Sequence, residues 1–158
     1  MSSRAYVGLG ANLGADLSAT LTRAALQLEA LPGVHVAALS SVWRSAPVDA
    51  TGPDFLNAVV ALDTTLPPLE LLDALQAIEQ AHGRERPYRN APRTLDLDLL
   101  LHGDVVMDTP RLTLPHPRLG ERAFVLRPLL EIAPHLTHLA TGDGWQNQRI
   151  ERLGPLSL

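Results

Sequence analysis

The sequence predicts an α+β fold: a ferredoxin-like βαββαβ antiparallel sheet, with helices on one face and C-terminal additions. Three observations lead there. Two segments carry apolar residues at helical spacing, at Leu17 to Leu31 and at Leu71 to Ile78. Strand-like segments rich in Val, Leu and Ala flank them in the order β-α-β-β-α-β. Pro and Gly punctuate nearly every junction. In such a sheet both helices cover one face. The other face is left for ligands, partly walled by the C-terminal elements.

Each element has its own justification. "RAYVGLGANLG" reads as a short strand ending in a glycine-containing turn. Asp16 is placed to cap the helix whose face is Leu17, Leu21, Ala24, Leu28 and Leu31, and Pro32-Gly33 stops that helix. "VHVAALSSVWRSAPV" reads as one long strand with Trp43 in the core. "VDATGPD" is a loop, and "FLNAVVALDTT" is the next strand, antiparallel to the one before. In "TLPPLELLDALQAIEQAHG", Pro67 and Pro68 suit the first turn of a helix and Gly83 its stop, with Leu71, Leu72, Leu75 and Ile78 buried. The basic loop "RERPYRNAP" leads into the strand "TLDLDLLLHG". Then come a turn, a short edge strand and a Pro-rich loop in "DVVMDTPRLTLPHPRL". A third helix follows in "ERAFVLRPLLEIAP", bent or divided at Pro128. The tail after Thr141 shows little pattern, and Trp145 receives no role.

Composition narrows the function classes. The 158 residues suit one domain spanning 1–158, with 46% hydrophobic residues to build its core. Net charge is −4 and the pI is about 5.8, which argues against nonspecific nucleic-acid binding. Without cysteine there is no disulfide framework and no thiolate metal site. No apolar run approaches a membrane span, and "MSSRAYVGLG" lacks a secretion signal, so a cytoplasmic location is expected.

The chemistry centres on "APRTLDLDLLL". Residues i and i+2 of a strand share a face, so Asp96 and Asp98 point one way while Leu95, Leu97 and Leu99 point into the core. Two such acids repel unless a cation lies between them. Hard oxygen ligands with few protein contacts suit Mg²⁺, which also takes phosphate oxygens. A solvated acidic edge strand is the alternative. Arg84, Arg86, Arg89 and Arg93 precede the acids, and metal-held acids beside several arginines suggest a polyphosphate. A basic loop that merely offsets nearby acids is the plainer account. Gln76 and Glu79, three apart on the second helix, either face the site to bind a ribose or base edge or are surface residues. His116, between two prolines, can present an imidazole to phosphate, or simply mark a turn. Phe55 and Phe124 are the only phenylalanines, suited either to the core or to stacking on a flat heterocycle. Asn57 shares a strand face with Phe55, and its amide both donates and accepts, as a purine-like or pterin-like edge requires.

"RNAPRTLDLDLL" resembles the signature of the 6-hydroxymethyl-7,8-dihydropterin pyrophosphokinases of folate biosynthesis. "YVGLGANLG", "SSVWRSAPV", "GPDFLNAVVAL", "IEQAHGRERP" and "RLTLPHPRLGERAFVLRPLLEIAP" resemble further segments of that family, and together they span residues 5 to 135. The resemblance implies that Asp96 and Asp98 hold two Mg²⁺ ions bridging the ATP phosphates and the pterin hydroxymethyl oxygen. It implies that Arg84 and Arg93 steady the transferred diphosphate as catalytic arginines. Gln76, Glu79, Arg86, Arg111, Thr113, His116 and Arg122 would line the ATP site. Phe55 and Phe124 would sandwich the pterin, Asn57 would read its edge, and backbone groups of Ser45, Ala46 and Val48 would complete the contacts. The sequence departs from the family pattern at Asn90, where many members carry tryptophan, in a loop one residue shorter; Tyr88 is the candidate substitute. It departs again at Pro117, a position often aromatic.

The expected activity is therefore transfer of the β,γ-diphosphate of ATP to 6-hydroxymethyl-7,8-dihydropterin, releasing AMP. The expected enzyme is a Mg²⁺-dependent cytoplasmic monomer with small-molecule substrates and neither nucleic-acid nor membrane partners. A non-catalytic ferredoxin-like binding module would need neither the paired acids nor the clustered arginines. A Mg²⁺-dependent nuclease is disfavoured by the acidic net charge.

Overall fold

In a computed structural model of the protein, residues 2–12, 17–46, 54–82, 95–142 and 144–156 are described. The elements run β1 (Ser3–Ala11), α1 (Leu17–Glu29), β2 (Val34–Leu39), β3 (Ser41–Ser45), β4 (Phe55–Thr64), α2 (Pro68–Ala81), β5 (Asp96–His102), β6 (Met107–Asp108), β7 (Thr113–Leu114), α3 (Ala123–Ile132) and β8 (Ile150–Pro155). The main sheet is ordered β5-β1-β4-β3-β8, with β2 also paired to β4, and every pairing is antiparallel. This is the expected ferredoxin-like arrangement, with one strand more at the β3 edge.

Alternation along the strands builds two cores. Ala5, Val7, Leu9, Leu97 and Leu99 face one way. They meet Leu21, Ala24, Ala25 and Leu28 of α1 and Leu71, Leu75 and Ile78 of α2. Tyr6, Val59, Ala61 and Leu100 face the other way and meet Leu126 and Leu129 of α3. The helical spacings read from the sequence thus supply the first core. The C-terminal elements wall part of the second face, as expected, and leave the remainder open. Pro128 is buried inside α3, which continues through it. Gly33, with φ of 78°, makes the turn after α1; a Cβ there would lie 2.7 Å from Thr65 Oγ1.

Three expectations are corrected. The segment 34–48 is not one strand, because it breaks at Ser40. The Ser40 N–H donates to the Val59 carbonyl at 2.9 Å, and the Val59 N–H donates to Ser40 Oγ at 2.8 Å. A side-chain oxygen therefore replaces a backbone carbonyl in the ladder. From Leu39↔Val60 to Trp43↔Asn57 one strand advances four residues and the other three, which is a bulge. Gly8 and Gly10 of "YVGLGANLG" lie within β1, and Gly14, at the end of that segment, lies outside the described residues. The tail has order, since β8 pairs with β3, and it was illegible because most of β8 is exposed and carries no apolar alternation. Trp43 is not the core residue it was expected to be, and Trp145, which had no expected role, is. Trp43 is partly exposed and donates its indole N–H to Glu131 at 3.1 Å. Trp145 is buried in the second core, with the Arg127 guanidinium 5.1 Å from its ring centroid.

The candidate helix cap Asp16 and stop Gly83 lie outside the described residues. Among the described residues, no helix is long and apolar enough to cross a membrane.

Candidate active site

The open part of the second face begins where β1 crosses between β4 and β5. Gly8 lies opposite Asp98 and Gly10 opposite Asp96. On the other side Gly10 lies opposite Asn57. All of these positions share one sheet face, so two aspartates and an asparagine flank a strip that has no side chains of its own. That strip is the floor of a cavity of about 210 Å³. Ser45, Ala46, Phe55, Asn57, Asp96, Asp98, Arg122 and Phe124 line its walls. The cavity brings together the two phenylalanines, the asparagine and the paired acids singled out in the sequence.

The asparagine is held in one orientation. Its Nδ2 donates to Ser45 Oγ at 2.8 Å and reaches the Trp43 carbonyl at 3.5 Å. Oδ1 is turned toward Gly10 and so toward the cavity floor. The Arg122 guanidinium sits 5.3 Å from the centroid of the Phe124 ring, covering it with a cation.

A second cavity, of about 230 Å³, opens beside the first. Arg111, Thr113, His116 and Pro117 line it, with Leu72 at its base. Asp98 lines both cavities and stands where they meet. Two adjoining sites therefore share one carboxylate. The second is polar and carries cation and hydroxyl groups suited to phosphate.

Arg111 is held at the rim by Asp73 at 2.7 Å and Gln76 at 3.3 Å. Gln76 thus stands beside the second cavity through Arg111 rather than in its wall. Glu79, three residues on, is buried, and its Oε2 accepts the Leu97 N–H at 2.9 Å. That N–H lies between the two aspartates in sequence, so α2 fastens β5 where the acids project. Arg122 lines the first cavity rather than the second.

Electrostatics distinguish the two bases of the site. Burial pushes His116 below the usual histidine range. Asp98 opposes this shift, and Arg122 and Arg118 add to it. The neutral ring accepts the Arg118 N–H at Nδ1, at 3.2 Å, so its proton sits on Nε2. Burial, then Arg118, lowers Arg122 from its ordinary value, while Asp98 and Glu121 pull the other way.

Val48, Arg84, Arg86, Tyr88, Asn90 and Arg93 lie outside the described residues. Gly8 and Gly10 line the first cavity and were not singled out in the sequence. Their signal was two glycines at i and i+2 inside an apolar strand, the pattern of a close backbone approach to a ligand.

The family model for 7,8-dihydro-6-hydroxymethylpterin-pyrophosphokinase (HPPK) matches residues 6–134. The 2-amino-4-hydroxy-6-hydroxymethyldihydropteridine pyrophosphokinase of Pseudomonas aeruginosa is 50% identical over 137 residues, 86% of this chain and 84% of that protein. Its counterpart in Methylorubrum extorquens is 48% identical over 135 residues, 85% of each chain. A crystal structure of a Plasmodium falciparum HPPK-DHPS variant superposes with a TM-score of 0.69 at 14% identity, covering 85% of this chain. The chain spans only 42% of that larger protein, so this likeness speaks for the fold. On the family match and the identity to these relatives, the chain belongs to the 7,8-dihydro-6-hydroxymethylpterin-pyrophosphokinase family.

Proposed function

We infer that the protein transfers the β,γ-diphosphate of ATP to the hydroxymethyl group of 6-hydroxymethyl-7,8-dihydropterin, giving AMP and the pterin diphosphate, a step of folate biosynthesis. The observation that carries the reading is Asp98 in the common wall of two cavities. One cavity has aromatic and amide groups for a heterocycle, and the other has cationic and hydroxyl groups for a nucleotide's phosphates.

In this reading the pterin lies between Phe55 and Phe124, with Asn57 Oδ1 accepting from its N–H edge and Ser45, Ala46 and Val48 completing the contacts. ATP lies against Arg111, Thr113 and His116, with Gln76, Arg86 and Arg122 at its margin. Glu79 acts by holding β5. Asp96 and Asp98 fit Mg²⁺: they are oxygen ligands on one strand face, few in number, leaving room for water and phosphate oxygens. Two Mg²⁺ ions held there would neutralise phosphate charge. Arg84 and Arg93 steady the diphosphate as it passes in line from one cavity to the other, so positioning and charge supply most of the catalysis. The His116 Nε2–H donates to a phosphate oxygen without first needing a proton. The whole chain, 1–158, acts as one pyrophosphokinase domain, a monomer in the cytoplasm.

Phosphorus NMR of a completed reaction with Mg²⁺, ATP and the dihydropterin tests the reading. AMP and a pterin diphosphate in equal amounts are expected. ADP with a pterin monophosphate would overturn diphosphate transfer.

A further inference from the structure

A third cavity, of about 460 Å³, adjoins the heterocycle pocket on the side away from the paired acids. It shares Ser45, Ala46, Arg122 and Phe124 with that pocket, while neither Asp96 nor Asp98 lines it. Its remaining charged wall is Arg118, Arg149 and Glu121. Among the described residues, three arginines and a single carboxylate thus line this cavity. None of the three arginines makes an ion pair among the described residues, although Arg4, Arg44, Arg111 and Arg152 all do. Arg122 already feels the repulsion of Arg118. Asp98 and Glu121 each offset that repulsion only in part, and a cluster with such an excess of cations gains most from an anion.

The wall is built rather than incidental. Gln148 Oε1 accepts the Ala123 N–H at 2.8 Å, and Gln148 Nε2 donates to the Glu121 carbonyl at 2.9 Å. Both bonds fasten the tail to the start of α3. They bring Arg149, the residue after Gln148, to the cavity that Arg118 also lines. The next residue, Ile150, continues into β8 against Ser45. The tail therefore forms one wall of a cationic chamber beside the pterin pocket.

We propose that this chamber is an anion site beyond the nucleotide cavity, in which Arg118 and Arg149, with Arg122 in the wall shared with the pterin pocket, bind the phosphate group of a small phosphorylated molecule. Guanidinium forks match tetrahedral phosphate oxygens in pairs, and three cations against one acid suit a dianion better than a single carboxylate. The volume leaves room for a substituent beyond the phosphate itself.

Calorimetric titration of inorganic phosphate tests the site, using full-length protein already saturated with Mg²⁺ and a non-hydrolysable ATP analogue. The wild-type protein should show one saturable phosphate site. Arg118→Gln with Arg149→Gln should weaken phosphate at least tenfold while leaving the affinity for the analogue within twofold. Arg149→Gln alone should fall between. Equal phosphate affinity in wild type and double variant, or no saturable binding in the wild type, would overturn the proposal. Failure of the analogue to bind would count against the nucleotide reading and leave the phosphate comparison intact.

Discussion

At the scale of single residues, Asp96 and Asp98 differ from their neighbours by purpose rather than by structure. Leu95, Leu97 and Leu99 are buried in the first core, while the two acids contribute nothing to it. Asp96→Asn or Asp98→Asn should therefore leave thermal unfolding near that of the wild type and reduce Mg²⁺-dependent AMP formation by orders of magnitude. Circular dichroism melting together with the product assay checks both halves. Phe124 makes the complementary case. Its ring lies in the heterocycle pocket and not in the polar cavity. Stacking contributes about 0.5–1.5 kcal/mol beyond burial, so Phe124→Ala should weaken pterin at least several-fold and ATP little. Equal weakening of both ligands, in equilibrium titrations, would contradict the assignment. These residues were legible because their types are rare here and their spacing matches a strand face. The orientation of Asn57 was not legible, since it depends on Ser45, twelve residues away.

At the scale of elements, Glu131 of α3 ties three segments together. Its carboxylate accepts from the Ser41 N–H at 2.9 Å, from the Ser41 hydroxyl and from the Trp43 indole, and it lies 3.6 Å from Arg152 of β8. Desolvation alone would raise its pKa. The hydrogen bonds from Ser41 and Trp43, with Arg152, outweigh it, and the net shift is downward from 4.5. A depressed carboxylate pKa gives stability that is present above the unfolded value and is lost as pH falls through the folded one. Glu131→Gln should thus lower stability at neutral pH and flatten its decline below about pH 4.5, as urea unfolding across pH would show. None of this was visible in the sequence, where Glu131 is an ordinary polar position near the end of a helix. The helical faces of α1 and α2 were visible, because burial on one side repeats locally. The break at Ser40 was not, because it rests on a bond to Val59 across the sheet.

At the scale of the molecule, the ferredoxin-like core was predictable from the order of its elements, and the C-terminal strand was not. An edge strand is held by backbone pairing, which leaves little trace in side-chain pattern. Yet β8 covers β3, the strand that carries Ser45 to the pocket, and Leu156 beyond it is buried in the first core. Removing residues 149–158 should cost about 1.5–3 kcal/mol through Leu156 alone. It should also weaken pterin more than ATP, because β3 adjoins the heterocycle pocket and not the polar cavity. Melting temperature and paired ligand titrations of the truncated chain check this.

The bare strip of β1 has a consequence for how this chain can vary. Neither Gly8 nor Gly10 adopts a left-handed backbone. A Cβ would approach no nearer than 3.7 Å at Gly8, from Leu100, and 3.5 Å at Gly10, from Asn57 Oδ1. The fold has no objection to alanine at either place; on the proposed reading only the ligand has. A library sorted for solubility or heat resistance would let methyl groups accumulate on that floor. A library sorted for growth without supplied folate would not, and the difference between the two would outline the pterin in negative.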